Sequence, residues 1–565
     1  MKNITAYRYK TVSVAVDETT DFLSVLRPDG EEEKAFSFVR KPVRIEYDEE
    51  GFEQILPEGK TLFCCRYTPD FEGEATVSVH DKSGKIVRTF SLAVFPSEEH
   101  GYAEVGKEDP RYLVLSDGTP FPVVGVNLAY PTEYRLSAKQ EFALSGKYGY
   151  LGLRQYERWF RALSQNGVNL VRLWLGHEYF SPDTEKADVF RYEQFEKLDA
   201  ILALAEKYSL RLKLTFEQFR FFDYEKEALS DSYADNVFRK FNKRLYLDGV
   251  RCENSKMWLT DEKFRAAWLE KIREYANRIG GNPTVAIVEP WNEMNCVGSD
   301  FEDVLAWNRA MLPELKKLFP KQLVTNSLGS LDSEYSEAHY RTFCWDKTEL
   351  LQIHRYLDCG APYADCRGDM QNVSRTAKEH VDLPSDRPFL IAETGAVNDC
   401  HSGPFRYYMN DHRGILFVDA VYTPLFCGSC GTGNLWHWNE QYLEAKNLYP
   451  LYAPIAKLFA GINIEQEHFC PRDLSDDAVS LLVLEGKNTL LGFVRNRADN
   501  WKNVLRDLAE PQPIPAFSAK LSEAPLSDLR VFPIFEGETA KADLSDKMLL
   551  LSDLRFGLLF SCVKK

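Results

Sequence analysis

Two glutamates stand where apolar runs end. Glu293 closes the stretch Val288-Glu289-Pro290-Trp291-Asn292-Glu293, and Glu393 closes Leu390-Ile391-Ala392-Glu393. Two carboxyl groups, one protonated and one ionised, are what cleavage of a glycosidic bond calls for: the acid assists the leaving oxygen while the carboxylate attacks or activates water. Taken singly, either glutamate reads equally well as a helix-terminal or rim salt-bridge residue, since structural ion pairs also use carboxylates. The chemistry needs both, and therefore a fold that brings together residues far apart in the chain.

From about residue 110, aliphatic and β-branched runs alternate with amphipathic helices. The candidate strands are 123–127, 170–174, 210–216, 285–289, 323–327, 350–354, 389–392 and 434–438. Residues 192–207 place Phe195, Leu198, Ile201, Leu202 and Ala205 on one helical stripe. Residues 261–279 carry Phe264, Trp268, Ile272, Tyr275 and Ile279, with Thr260 read as the N-cap and Gly280-Gly281 as the stop. Eight parallel strands separated by helices predict an α/β fold, a (β/α)8 TIM barrel over residues 99–462, in which functional groups gather at the C-terminal ends of the strands. The fourth and seventh strands then set the two glutamates across the barrel mouth. A doubly wound sheet is the alternative, but no GxGxxG or GxxxxGK[ST] follows any strand. Residues 1–98 show only short alternating runs between turn signals such as Pro28-Asp29-Gly30, and residues 463–565 return to that pattern. Each reads as a flanking β-sandwich domain.

The 565 residues include 69 basic and 85 acidic side chains, a net charge of −16 that argues against nucleic-acid or anionic-membrane partners. No apolar run reaches the roughly 18 residues of a membrane span. The first residues, MKNITAYRYK, lack the apolar core of a secretory leader, so the reading places the chain in the cytoplasm. The twelve cysteines follow no metal spacing, and the Cys427/Cys430 pair has no second pair, so they are expected to be reduced packing residues. Aromatic residues reach 13%, and the extra tryptophan and tyrosine suit a carbohydrate cleft as well as a core.

Asn292-Glu293 after the fourth strand, with Glu393 after the seventh, resembles the retaining glycoside hydrolases of clan A. The closest resemblance is to glycoside hydrolase family 5, the cellulase and mannanase-like enzymes, and to relatives with a β-sandwich ahead of the barrel. The likeness runs over nearly 460 residues. It includes Tyr67-Thr68-Pro69 with Gly73, Asp109-Pro110-Arg111-Tyr112, Asp117-Gly118-Thr119-Pro120-Phe121, Gly125-Val126-Asn127 and Gly431-Thr432-Gly433. The joint pattern is specific for the clan and weaker for the family.

The resemblance implies that Glu293 is the general acid/base and Glu393 the nucleophile. Arg172 resembles the arginine beside the nucleophile, expected to depress the pKa of Glu393 and keep it ionised. Asn292 resembles the residue that binds the sugar 2-hydroxyl. His354 and Tyr356 resemble a His-x-Tyr whose tyrosine bonds the nucleophile, and one of Trp436 and Trp438 is expected to form the floor under the reacting sugar. Core packing is the competing reading for the tryptophans, and a structural salt bridge for Arg172. Glu289 is expected to be a buried, paired barrel residue, with Glu178 and Glu217 structural or secondary. Two long segments, 218–258 and 401–430, are expected to be loops that shape the cleft. The function expected is a retaining glycoside hydrolase acting on β-glycosidic bonds of an oligosaccharide or glycoside, with no metal and no cofactor. The alternative is a non-catalytic carbohydrate-binding protein on the same barrel.

Overall fold

The computed structural model describes residues 4–49, 51–132, 150–218, 245–344, 346–381, 386–399, 401, 403–439 and 441–565. Among the described residues seven barrel strands are present: β1 (Gly125–Asn127), β2 (Leu170–Trp174), β3 (Arg211–Glu217), β4 (Val285–Trp291), β5 (Leu323–Val324), β6 (Leu351–His354) and β7 (Phe389–Glu393). β1 to β5 form one parallel sheet in chain order, and β6 pairs in parallel with β7. Between β5 and β6 the Glu349 N–H donates to the Val324 carbonyl, and the Thr325 hydroxyl donates to that of Leu350.

The expected eighth strand is reduced to single bridges. Gly431 and Leu435 pair in parallel with Val123 and Val126, and Leu435 also with Thr394, so the barrel closes without a regular ladder. The close approach is dictated at Gly431, where a Cβ would fall 2.4 Å from the Val123 carbonyl oxygen. Such contact leaves room only for glycine.

The helices follow the predicted stripes. In α1 (Tyr192–Lys207), Phe195, Leu198, Ile201, Leu202 and Ala205 are buried, and in α2 (Glu262–Ile279) so are Phe264, Trp268, Ile272, Tyr275 and Ile279. The cap of α2 differs from the reading. Asp261 accepts from the Lys263 and Phe264 N–H groups, while Thr260 ends a preceding short helix and bonds back to Lys256. An ionised side chain at the N-cap also meets the helix dipole, which favours aspartate over threonine there. The segment 401–430 is not a plain loop: it contains the helix Ile415–Phe426, buried along its whole length. Buried on every side and mostly apolar, it offers no amphipathic period to read.

Before the barrel, seven strands form a β-sheet around their own core of Leu23, Val25, Cys65, Val77 and Leu92. Glu32–Arg40 pairs with Thr20–Leu26 through its first half and with Leu62–Tyr67 through its second. After the barrel, a five-stranded and a three-stranded sheet share a core. Its strand Val479–Glu485 is buried on both faces. Val479, Leu481 and Val483 join that core, whereas Leu482 and Leu484 join the barrel's, as the two-residue period of a strand requires.

The N-terminal sheet is tied to the barrel by ion pairs. Arg278 of α2, with its side chain 1% exposed, reaches Glu196 at 3.0 Å and Asp199 at 2.9 Å and donates to the Val39 carbonyl. Arg40 and Arg66 approach the same two carboxylates from the sheet side. Arg278→Ala strips the central cation and should lower stability by about 3 kcal/mol, because it leaves buried carboxylates under-compensated. Urea unfolding measures this, and an unchanged midpoint would contradict the linkage.

Candidate active site

β4 and β7 deliver their glutamates to one point. One oxygen of Glu293, one oxygen of Glu393 and a ring nitrogen of His354 lie within 4.8 Å of one another. Glu293 sits just past β4 at φ 48°, in the left-handed region that non-glycine residues seldom occupy. Its N–H donates to the Ser327 hydroxyl at 2.9 Å, which holds the turn.

The partners of the two carboxyls differ. Glu393 receives an N–H from Arg172 and, at 2.6 Å, the Tyr356 hydroxyl. His354 Nδ1 lies 2.9 Å from Glu293 and 3.4 Å from Glu393. Among the described residues Glu293 touches no arginine or lysine.

Beneath them the barrel interior is charged. Arg172 and Lys213 are fully buried, and both approach Glu289, at 2.9 Å and 3.4 Å. The register places Asn127, Arg172 and Lys213 side by side across β1, β2 and β3. This centre therefore holds two basic side chains and three carboxyls, with His354 neutral because burial and Arg172 push its pKa well down. An unbalanced buried charge is costly, so the three carboxyls do not all ionise together. Burial and the Glu393 charge push Glu293 well above the ordinary carboxylate range. In Glu289 burial pushes the same way, but Arg172 and Lys213 overcome it and hold the group low. Of the three carboxyls, Glu293 is thus the one pushed furthest toward its protonated form.

Glu393 corrects one expectation. Arg172 does pull its pKa down, helped by Tyr356, yet burial outweighs both and leaves Glu393 somewhat raised. Arg172 and Tyr356 nevertheless favour its ionised form over that of Glu293, which among the described residues touches no cationic side chain.

Asn292 accepts from Arg172 at 2.7 Å through its carbonyl oxygen, and its buried Nδ2 has no partner among the described residues. The tryptophans divide. Trp438 is buried, edge-on to Tyr130 and Trp436, whereas Trp436 is only partly buried and tilts against Trp174 at 4.9 Å. Glu178 accepts from Tyr150 and Glu217 pairs with Lys271. Of the segment 218–258, residues 219–244 lie outside the described residues. Lys213, Thr215 and Gln352 lie outside the residues that the sequence singles out for the site, although a lysine between the leucines of Leu212-Lys213-Leu214 in a strand is a signal of a buried ion pair.

The Glu293, His354 and Glu393 trio has a spacing that a cation would also accept, as does a neighbouring trio of Asp332, Asp358 and His401. Chelation separates the readings: activity should survive dialysis against EDTA, and a loss restored only by a divalent cation would make one trio a metal centre. Burial pushes the Cys427 and Cys430 thiols up to about 12, the reverse of a reactive thiolate. No helix among the described residues is long and apolar enough to cross a membrane.

No family model matches the chain, and no curated protein matches its sequence. Solved structures do. A Bacteroides vulgatus protein provisionally described as a glycoside hydrolase superposes with a TM-score of 0.56 at 10% identity, over 99% of this chain and 100% of its own. A glycoside hydrolase family 5 structure, also from Bacteroides vulgatus, gives 0.51 at 12% identity, over 82% of this chain and 94% of its own. At such identity the likeness establishes a shared fold and leaves the chemistry to the residues.

Proposed function

We propose that the chain is a retaining glycoside hydrolase of clan A, similar to family 5, that cleaves β-glycosidic bonds in oligosaccharides or glycosides. In this reading the catalytic barrel spans residues 99–462, and the flanks 1–98 and 463–565 are β-sandwich domains. The carrying observation is the pair Glu293 and Glu393, closely apposed at the barrel mouth and unlike in their partners. The proximity favours the nucleophilic mechanism, whose carboxyls stand about 5–5.5 Å apart, over the ~6.5–9.5 Å that admits an attacking water.

Glu393, ionised beside Arg172, attacks the anomeric carbon as Glu293 gives its proton to the departing glycosidic oxygen. The products of this step are a glycosyl ester on Glu393 and a free alcohol. Esterification removes the negative charge next to Glu293, so the pKa of Glu293 falls and it becomes a base. It then takes a proton from water as that water attacks the anomeric carbon and releases Glu393. The unpartnered Asn292 amide is suited to the sugar 2-hydroxyl, and Trp436 to the sugar face. Trp438 packs the wall behind it.

A panel of nitrophenyl β-glycosides tests this reading, with proton NMR of the first-formed sugar. Retention of the β-anomer is expected. An initial α-anomer would overturn the mechanism, and binding without turnover across the panel would favour the non-catalytic alternative.

A further inference from the structure

The guanidinium of Arg172 has two working edges. One faces Glu289, with Nε 3.0 Å and Nη2 2.9 Å from the same oxygen, and Nε also donates to the Thr215 hydroxyl at 3.1 Å. The other gives Nη1 to Glu393 and Nη2 to the Asn292 carbonyl oxygen at 2.7 Å. Glu289 is itself clamped. Thr215 donates to it at 2.7 Å, Gln352 Nε2 donates to its other oxygen at 2.6 Å, and Lys213 bonds Gln352 while lying 3.4 Å from Glu289.

Free of such a clamp, an arginine beside a carboxylate prefers the two-pronged fork geometry. Here Arg172 gives Glu393 a single N–H, and the second oxygen of Glu393 goes to Tyr356. We infer that Glu289 is a positioning residue that acts through Arg172: it denies the guanidinium the fork on Glu393 and keeps its other prong on Asn292. The inference rests on Glu393 being the nucleophile. Without Glu289, the fork would draw electron density from both oxygens of Glu393 and release Asn292, so the cost falls on the transition state rather than on binding. Burial pushes the Lys213 pKa down to about 7 against the pull of Glu289, and Arg172 foremost holds the Glu289 pKa low.

The test uses Glu289→Gln and, because that change leaves two buried cations short of a carboxylate, also Thr215→Val, which keeps every charge. Each is assayed on whichever 2,4-dinitrophenyl β-glycoside the wild type turns over fastest, among glucoside, mannoside, galactoside and xyloside, and on its 2-deoxy analogue. A crystal structure of each variant locates Arg172. For Glu289→Gln the expected result is a fall in kcat of about a hundredfold with KM little changed, as for a displaced catalytic group. The rate penalty for lacking the 2-hydroxyl should shrink by about tenfold, the worth of one hydrogen bond. Thr215→Val should move both readings the same way by a smaller factor, and Arg172 should fork onto Glu393. If Glu289→Gln does not fold, Thr215→Val decides. Wild-type kcat per folded molecule, an unchanged 2-deoxy penalty and an unmoved Arg172 would overturn the inference, even with a lower Tm. Glu393→Gln, assayed in parallel, separates the two failures. If it retains full activity, or no glycoside is turned over, the nucleophile assignment has failed, and the crystal structures still judge the clamp.

Discussion

Glu393→Ala abolishes turnover on every glycoside, with a fall in kcat on the order of 10⁵-fold or more, because no covalent intermediate can form without its carboxylate. A good leaving group does not help, since the missing partner is the nucleophile itself. Added azide can occupy the space left by the side chain and attack the anomeric carbon directly, which gives a glycosyl azide of inverted configuration. Steady-state assay with a dinitrophenyl glycoside and NMR of the azide product check both parts. Near wild-type activity would place the nucleophile elsewhere.

Glu293→Ala behaves differently in each half-reaction. A substrate with a poorly acidic leaving group loses rate by about 10²–10⁴-fold, the usual contribution of a positioned acid. A dinitrophenyl glycoside needs no proton, so it still glycosylates Glu393, and the enzyme then stalls because nothing activates water. Azide requires no base and should restore turnover with a glycosyl azide of retained configuration. The alkaline limb of the pH profile should vanish as well. In the wild type, activity falls as pH rises through the elevated pKa of Glu293, because the acid must be protonated for the first step. A variant that keeps this limb, or that azide leaves unchanged, would reassign the acid.

Much of this arrangement is legible in the sequence, because the barrel's inner strands and helix faces carry strong patterns. The run 170–174 coincides with β2, and the buried stripe of α1 holds the five residues its period singles out. The two glutamates stand out because Glu393 ends β7 and Glu293 follows the end of β4 by two residues. Other features have no local signature. The helix Ile415–Phe426 is buried on all sides, and the eighth barrel segment closes through bridges at Gly431 and Leu435 instead of a patterned strand. Trp436 and Trp438 are equivalent in sequence, and only packing against Trp174 and Tyr130 tells them apart. The partners of Arg172 come from β1, β3, β4 and β7, and those of Glu289 also from β6, so no window of the chain contains the clamp. The net pKa of Glu393 was out of reach for the same reason: it balances burial against a cation, and burial is a property of the whole fold.

The division of labour between the two glutamates is tested most directly by trapping the intermediate. A 2-deoxy-2-fluoro glycoside slows both steps by destabilising the oxocarbenium-like transition state, and a dinitrophenyl leaving group restores the first, so the glycosyl-enzyme accumulates. Fluoroglycosides of glucose, mannose, galactose and xylose are each incubated with the protein, and the digest is sequenced by mass spectrometry. One added sugar, on Glu393, is the expected result. A label on Glu293 or any other residue, or steady turnover of the parent glycoside with no adduct under any fluoroglycoside, would contradict it.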